Sequence, residues 1–141
     1  MATIEMLTLA NHVEAINGLL YLSGAGWNRV TRRYPKGGVP TPHNFGIGVS
    51  VLVPWTEANR KHHLSLRIED EDQHEQPLLR VNGELEVGRP AGVPEGSDLR
   101  AVLASQATLQ FPSAGGYRVV ADLNGESRNY GFIVVDEVTP S

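Results

Sequence analysis

The chain has 141 residues, of which 40% are apolar and 20% charged, with a formal net charge of −4. Those values suit one globular domain with a sizeable core and argue against a disordered chain. The acidic balance argues against a general nucleic-acid binder, and the absence of cysteine excludes disulfides, thiolate metal sites and cysteine nucleophiles.

The opening MATIEMLTLA has no basic region and carries Glu5 inside its apolar run. It does not read as a signal peptide, and no 18-residue apolar stretch follows it, so a cytoplasmic protein that crosses no membrane is the expectation. Charge is uneven: residues 1–60 carry net +2 and residues 61–141 net −6. Strands from both parts should interleave, so this asymmetry need not survive as two patches.

Ile4 to Leu9 reads as a first strand. Val13 to Ile16 and Leu19 to Leu22 flank Asn17-Gly18, a strong hairpin signal because both turn residues tolerate positive φ. Gly24-Ala25-Gly26 breaks the second strand. It lacks the third glycine and following helix of a nucleotide-binding loop. Trp27 to Tyr34 alternates as another strand, and Pro35 to Asn44 is a proline-rich loop.

Phe45 to Val53 is the cleanest strand. Phe45, Ile47, Val49, Val51 and Val53 share one face, while Gly46, Gly48 and Ser50 leave room on the other for close approach. After the connection Pro54 to Arg60, His62 to Asp70 alternates Leu64, Leu66 and Ile68 inward against His63, Ser65, Arg67 and Glu69. Glu71 to Pro77 turns the chain into Leu79 to Gly88, and Arg89 to Asp98 is a second Pro/Gly loop. Leu99 to Ala104 is open between a short helical turn capped by Ser97 or Asp98 and the lead into a strand over Ala107 to Phe111.

The segment Phe111 to Val135 closes the chain as two strands joined at Asn124-Gly125, with Tyr117, Val119, Ala121 and Leu123 on one face and Arg118 and Asp122 on the other. Eight or nine short strands with regular turn signals predict an all-β fold: a single antiparallel β-sandwich, immunoglobulin-like or jelly-roll-like, over residues 1–141. In such sandwiches a tyrosine in the position of Tyr117 bonds a nearby backbone group at a corner.

Three groups of residues carry a family resemblance. They are Leu9 to Val13 with Asn17 to Trp27, Leu66 to Asp72, and Phe111 to Val119 with Leu123 to Glu126. On these the chain resembles a family of uncharacterised bacterial proteins known only as a domain of unknown function. The resemblance spans nearly the whole chain and implies a compact β-sandwich with no assigned activity, so it transfers no functional residues. The family commonly has an acidic residue where this chain has Asn11, which argues against charge chemistry there.

Candidate sites each have a structural alternative. Trp27, Arg29, Arg32, Arg33, Tyr34 and Lys36 form the one basic-aromatic cluster, suited to phosphate, nucleic acid or an acidic partner, with a protein ahead of nucleic acid because the whole chain is acidic, or else to keeping an edge strand from aggregating. Glu69-Asp70-Glu71-Asp72, followed by His74 and Glu75, is a solvated turn in which Asp70 and Asp72 are weak Ca²⁺ candidates. His12, His43, His62, His63 and His74 would need to converge in one barrel to hold a metal, and His62 and His63 point to opposite faces. Trp55 at a strand end suits capping of the core or anchoring of an interface, and Tyr117 and Gly125 are structural.

No nucleophile elbow is present and no cofactor is implied. The expected function is therefore non-catalytic: contact with a protein partner or self-association, as in a structural or decoration subunit of a cellular or viral particle. The alternative is a cupin-like ligand- or metal-binding enzyme using the Phe45–Val53 glycine face or the histidines.

Overall fold

In the computed structural model, residues 1–72 and 76–140 are described. Among them the chain forms nine strands: β1 (Thr3–Ile16), β2 (Leu19–Ala25), β3 (Arg29–Pro35), β4 (His43–Val53), β5 (Lys61–Asp70), β6 (Leu79–Glu86), β7 (Leu99–Leu109), β8 (Gly115–Leu123) and β9 (Glu126–Thr139). One 3₁₀ turn, Trp55–Glu57, follows β4. The strands make two sheets, ordered β2-β1-β4-β7 and β3-β9-β8-β5-β6. All pairs are antiparallel except β3 with β9, which is parallel. That pair corrects the expectation of a wholly antiparallel arrangement.

The inward faces of both sheets share one hydrophobic core. Ile4, Leu9, Ile47, Val49 and Val51 come from the first sheet, and Leu64, Leu66, Ile68, Val119, Leu123 and Phe132 from the second. An irregularity between Ile4 and Met6 in the β1–β4 register explains how Ile4 and then Leu7 face inward despite their odd spacing. Both Asn-Gly pairs make two-residue hairpin turns with positive φ at both positions, 51° and 76° at Asn17-Gly18, 50° and 92° at Asn124-Gly125.

Two segments differ from the sequence expectation. β1 is one 14-residue strand rather than two short ones, because His12 to Ile16 pairs with β2 after β1 leaves β4 at Ala10. Leu99 to Leu109 is a single strand, held by a ladder to β4 that runs from Leu99↔Val53 to Leu109↔His43. The helical option fails because that ladder takes up the backbone of Leu99 to Ala104, and Ser97 donates its hydroxyl back to the Pro94 carbonyl.

Tyr117 is buried, and its hydroxyl donates to the Ser113 carbonyl at 2.7 Å, tying β8 to the loop four residues upstream. Removing that hydroxyl leaves a buried acceptor without its partner. Tyr117→Phe should therefore lower the unfolding free energy by about 1–2 kcal/mol, measured by urea denaturation; an unchanged midpoint would show that water replaces the bond at no cost.

Candidate functional site

The glycine face of β4 is the recess that the sequence leaves open, and here the chain fills it from within. Beyond Ala10, β1 and β2 continue as a hairpin that folds back over the outer side of β4. A Cβ on Gly46 would lie 2.5 Å from Val13 Cγ2, and one on Gly48 would lie 2.9 Å from Leu22 Cδ2 and 3.3 Å from Leu20 Cδ2. Phe45 to Val51 is consequently buried without alternation.

Gln106, the β7 neighbour of Gly46, latches the hairpin down through the gap that the missing side chain leaves. Its Oε1 accepts from the Val13 N–H at 3.2 Å, and its Nε2 donates to the Asn11 carbonyl at 3.0 Å and to Asn44 Oδ1 at 2.6 Å. The face on which the ligand-binding alternative drew is thus a second small core.

The hairpin's other side is its solvent face, and it is apolar. Ile16, Leu19 and Tyr21 are 46%, 58% and 51% exposed. Glu14 pairs with Tyr21 and Ile16 with Leu19 across the hairpin, so all four side chains share this face. Period-2 alternation through Leu19 to Leu22 places Leu20 and Leu22 opposite Leu19 and Tyr21, so the signal was in the sequence. What it lacked was any indication of which side the glycines would bury.

The basic-aromatic cluster does not form one surface. Arg32 is buried: its Nε and Nη2 donate to Asp136 at 2.6 and 3.0 Å, and its Nη1 donates to the Phe111 carbonyl at 2.8 Å. The Arg32 bonds hold the Asp136 carboxyl below the usual carboxylate range. Arg33 lies on the opposite face, exposed, and bonds Glu137. Arg29 and Lys36 are exposed and Tyr34 is half-buried. Trp27 lies in the β2–β3 connection, half-buried with its Nε1 lacking a partner, and edge-on to His43, Phe45 and Phe132. The strand β3 thus presents alternating residues to opposite sides, and its two central arginines are neutralised by consecutive acids of β9.

A second ionic network covers the outer face of the other sheet. Glu69 accepts from Arg67 and Arg118, Arg67 also donates to Asp122, and Asp122 accepts from Ser127. Burial raises the Glu69 and Asp122 pKa values, but the bonds outweigh it: those from Arg118 and Arg67 to Glu69, and from Ser127 and Arg67 to Asp122, leave both carboxyls lowered.

The histidines are dispersed. His12 bonds Glu14 at 2.8 Å on the exposed hairpin, and His43 stacks near Phe45, its pKa lowered by burial. His62 is buried, donating from Nε2 to the Glu57 carbonyl and accepting at Nδ1 from Asn124 Nδ2, while His63 is exposed. His74 and Glu75 lie outside the described residues. Asp70 and Asp72 border a groove with Ser113 to Tyr117. Among the described residues no three histidine or acidic side chains converge as a metal-binding group.

Trp55 is half-buried against the core, with the Arg89 guanidinium 4.5 Å above its ring and Arg89 Nη2 bonding its carbonyl at 2.7 Å. An open cleft of about 530 Å³ beside it runs from the hairpin tip at Gly18 to Arg100. Both of its arginines are engaged, Arg100 forking onto Glu5 at 2.8 and 2.9 Å.

These features define a class: an all-β protein of two sheets whose sequence-visible recess is internally packed and whose outer sheet face carries a paired ionic network. The chain belongs to a family of unknown function, DUF6941, which matches residues 5–135. No curated protein matches the chain. Among the described residues, no helix is long and apolar enough to cross a membrane.

Two substitutions test this geometry. Gly46→Val pushes a branched side chain into Val13 and Gln106, so it should destabilise by about 1–3 kcal/mol in chemical denaturation. An open ligand floor would tolerate it. Arg32→Ala leaves the Phe111 carbonyl and Asp136 without their donor and should cost about 1–3 kcal/mol, whereas Arg33→Ala should stay within about 0.5 kcal/mol. Equal effects at the two positions would contradict the burial of Arg32.

Proposed function

We propose that this chain is a non-catalytic β-sandwich, immunoglobulin-like or jelly-roll-like, that works by protein–protein contact, self-association included, as a structural subunit of a larger assembly. The observation that carries this reading is the β1–β2 hairpin, whose outward side exposes Ile16, Leu19 and Tyr21 within six residues. Apolar side chains so grouped are costly on a free surface and suit an interface. The immunoglobulin-like form draws support from the Tyr117 bond to the Ser113 carbonyl, which has the pattern of a tyrosine corner.

The basic-aromatic cluster offers its exposed members Arg29, Arg33 and Lys36 as a further contact surface. Arg32 is committed to the interior, and a charge reversal there would set a carboxylate against Asp136 rather than probe a partner. The rival reading, a small-ligand or metal-binding enzyme, had its best place on the Gly46–Gly48 face, which Val13, Leu20 and Leu22 occupy.

The test is elemental analysis and light scattering on protein purified without a histidine tag. We expect a mass above that of the monomer at micromolar concentration and no stoichiometric metal; stoichiometric Zn²⁺, Fe or Ca²⁺ would overturn the reading.

A further inference from the structure

We infer that the hairpin face meets a second copy of this chain, joined edge to edge along β2 about a two-fold axis. The inference rests on the protein-contact reading and narrows it to one partner.

The strand edge is the first ground. β2 ends its sheet, and its sequence LLYLSGA contains no charge and no proline. The other terminal strands carry the groups that keep edges apart: Arg29, Arg33 and Pro35 on β3, Arg80, Glu84 and Glu86 on β6, and Arg100 on β7.

Charge is the second ground. A two-fold contact sets a patch against itself, so a strongly charged patch would repel its own copy. The ionisable groups on the outward side of the hairpin are His12 and Glu14, which bond each other at 2.8 Å. Nothing there opposes self-pairing.

Geometry is the third. The pair Ile16↔Leu19 closes a two-residue turn, which makes it a hydrogen-bonded pair. The alternation along the ladder then turns the N–H and C=O groups of Leu20 and Leu22 away from β1. A two-fold axis through Tyr21 sets Leu20 of each copy against Leu22 of the other. The main chains then exchange hydrogen bonds, and Tyr21 lies beside its own equivalent. The exposed parts of Ile16, Leu19 and Tyr21 supply of order 300 Å² per copy, against about 800 Å² per partner in a standard interface. The flanks from His12 to Ala25 add polar area, so the contact belongs to the weak class, with a dissociation constant of order micromolar.

Sedimentation velocity on the full chain from about 1 to about 200 µM tests this. The expected result is a monomer–dimer equilibrium whose dissociation constant rises at least roughly tenfold in Leu19→Glu, since an unpaired carboxylate then replaces an apolar side chain opposite Ser23 of the other copy in each half of the seam. Ile133→Glu, which adds the same charge at a 45% exposed position on the other sheet, should leave the equilibrium unchanged. Because the chain has no cysteine, Tyr21→Cys gives an independent readout: mild oxidation should yield a disulfide dimer, and Ile133→Cys should not.

A dimer insensitive to Leu19→Glu, with no Tyr21→Cys cross-link, overturns the β2 assignment while self-association by another face stands. A strict monomer overturns the second copy as partner. Only the metal result described above removes the protein-contact reading itself.

Discussion

Aromatic packing around Phe45 is the constraint on which the two-sheet arrangement depends. Phe45 lies about 6 Å from Trp27, His43, Phe111 and Phe132, and Tyr117 packs against Phe111 and Phe132 at 4.9 and 5.9 Å. These rings come from β4, β8 and β9 and from the connections on either side, Trp27 before β3 and Phe111 after β7. The cluster therefore joins both sheets and fixes two crossings between them at once. Polar bonds set its edges. The Phe111 carbonyl accepts from Arg32, Ser113 from Tyr117, and Trp27 from Tyr130. Each bond satisfies a loop carbonyl outside the ladders and ties its connection to a strand.

This corner also accounts for the parallel pair. The chain leaves β2 in one sheet, turns at Gly26 with φ of 89°, and enters the other beside its last strand. The Gly26 N–H bonds the Leu9 carbonyl and the Asn28 carbonyl accepts from Ile133, so the crossing is registered on both sheets. Once Trp27 is placed in the aromatic cluster, β3 runs in the direction of β9, and Arg32 arrives opposite Asp136. The glycines of β4 are the complementary device on the other side. By omitting side chains at two positions, one strand acquires a packed layer on each face, and the β1–β2 hairpin becomes structural on its inner side and exposed on its outer side.

What could be read from the sequence divides along the line between local and long-range information. Asn17-Gly18 and Asn124-Gly125 were legible because the turn conformation is a property of those two residues alone. The Phe45–Val53 strand was legible through its alternation, and its glycine face correctly signalled close approach. The occupant of that face was not legible, because Val13, Leu20 and Leu22 reach it only through a bend in β1 that no local pattern encodes. Arg32 illustrates the same limit. In sequence it sits in a basic run and looks solvated; its carboxylate partner is 104 residues away, and only the parallel register of β3 with β9 unites them. Leu99 to Ala104 had no decisive local preference, and its strand form is imposed by the ladder to β4.

The distribution of charge bears on function through what it leaves over. Arg67, Glu69, Arg118 and Asp122 neutralise one another on the outer face of the five-stranded sheet, Arg33 is met by Glu137, and Arg100 by Glu5. An exposed pair of this kind adds little stability, since its attraction is screened and the side chains lose freedom. Its effect is instead on recognition: over these patches the paired charges present a weak field and steer partners poorly. Where charges cancel, specific contact has to come from apolar shape. In this chain three exposed apolar side chains, Ile16, Leu19 and Tyr21, lie together on the hairpin whose back is locked onto β4. A face backed by packed side chains and by the Gln106 bonds has less conformational freedom to lose on binding, which favours a small apolar patch as a contact.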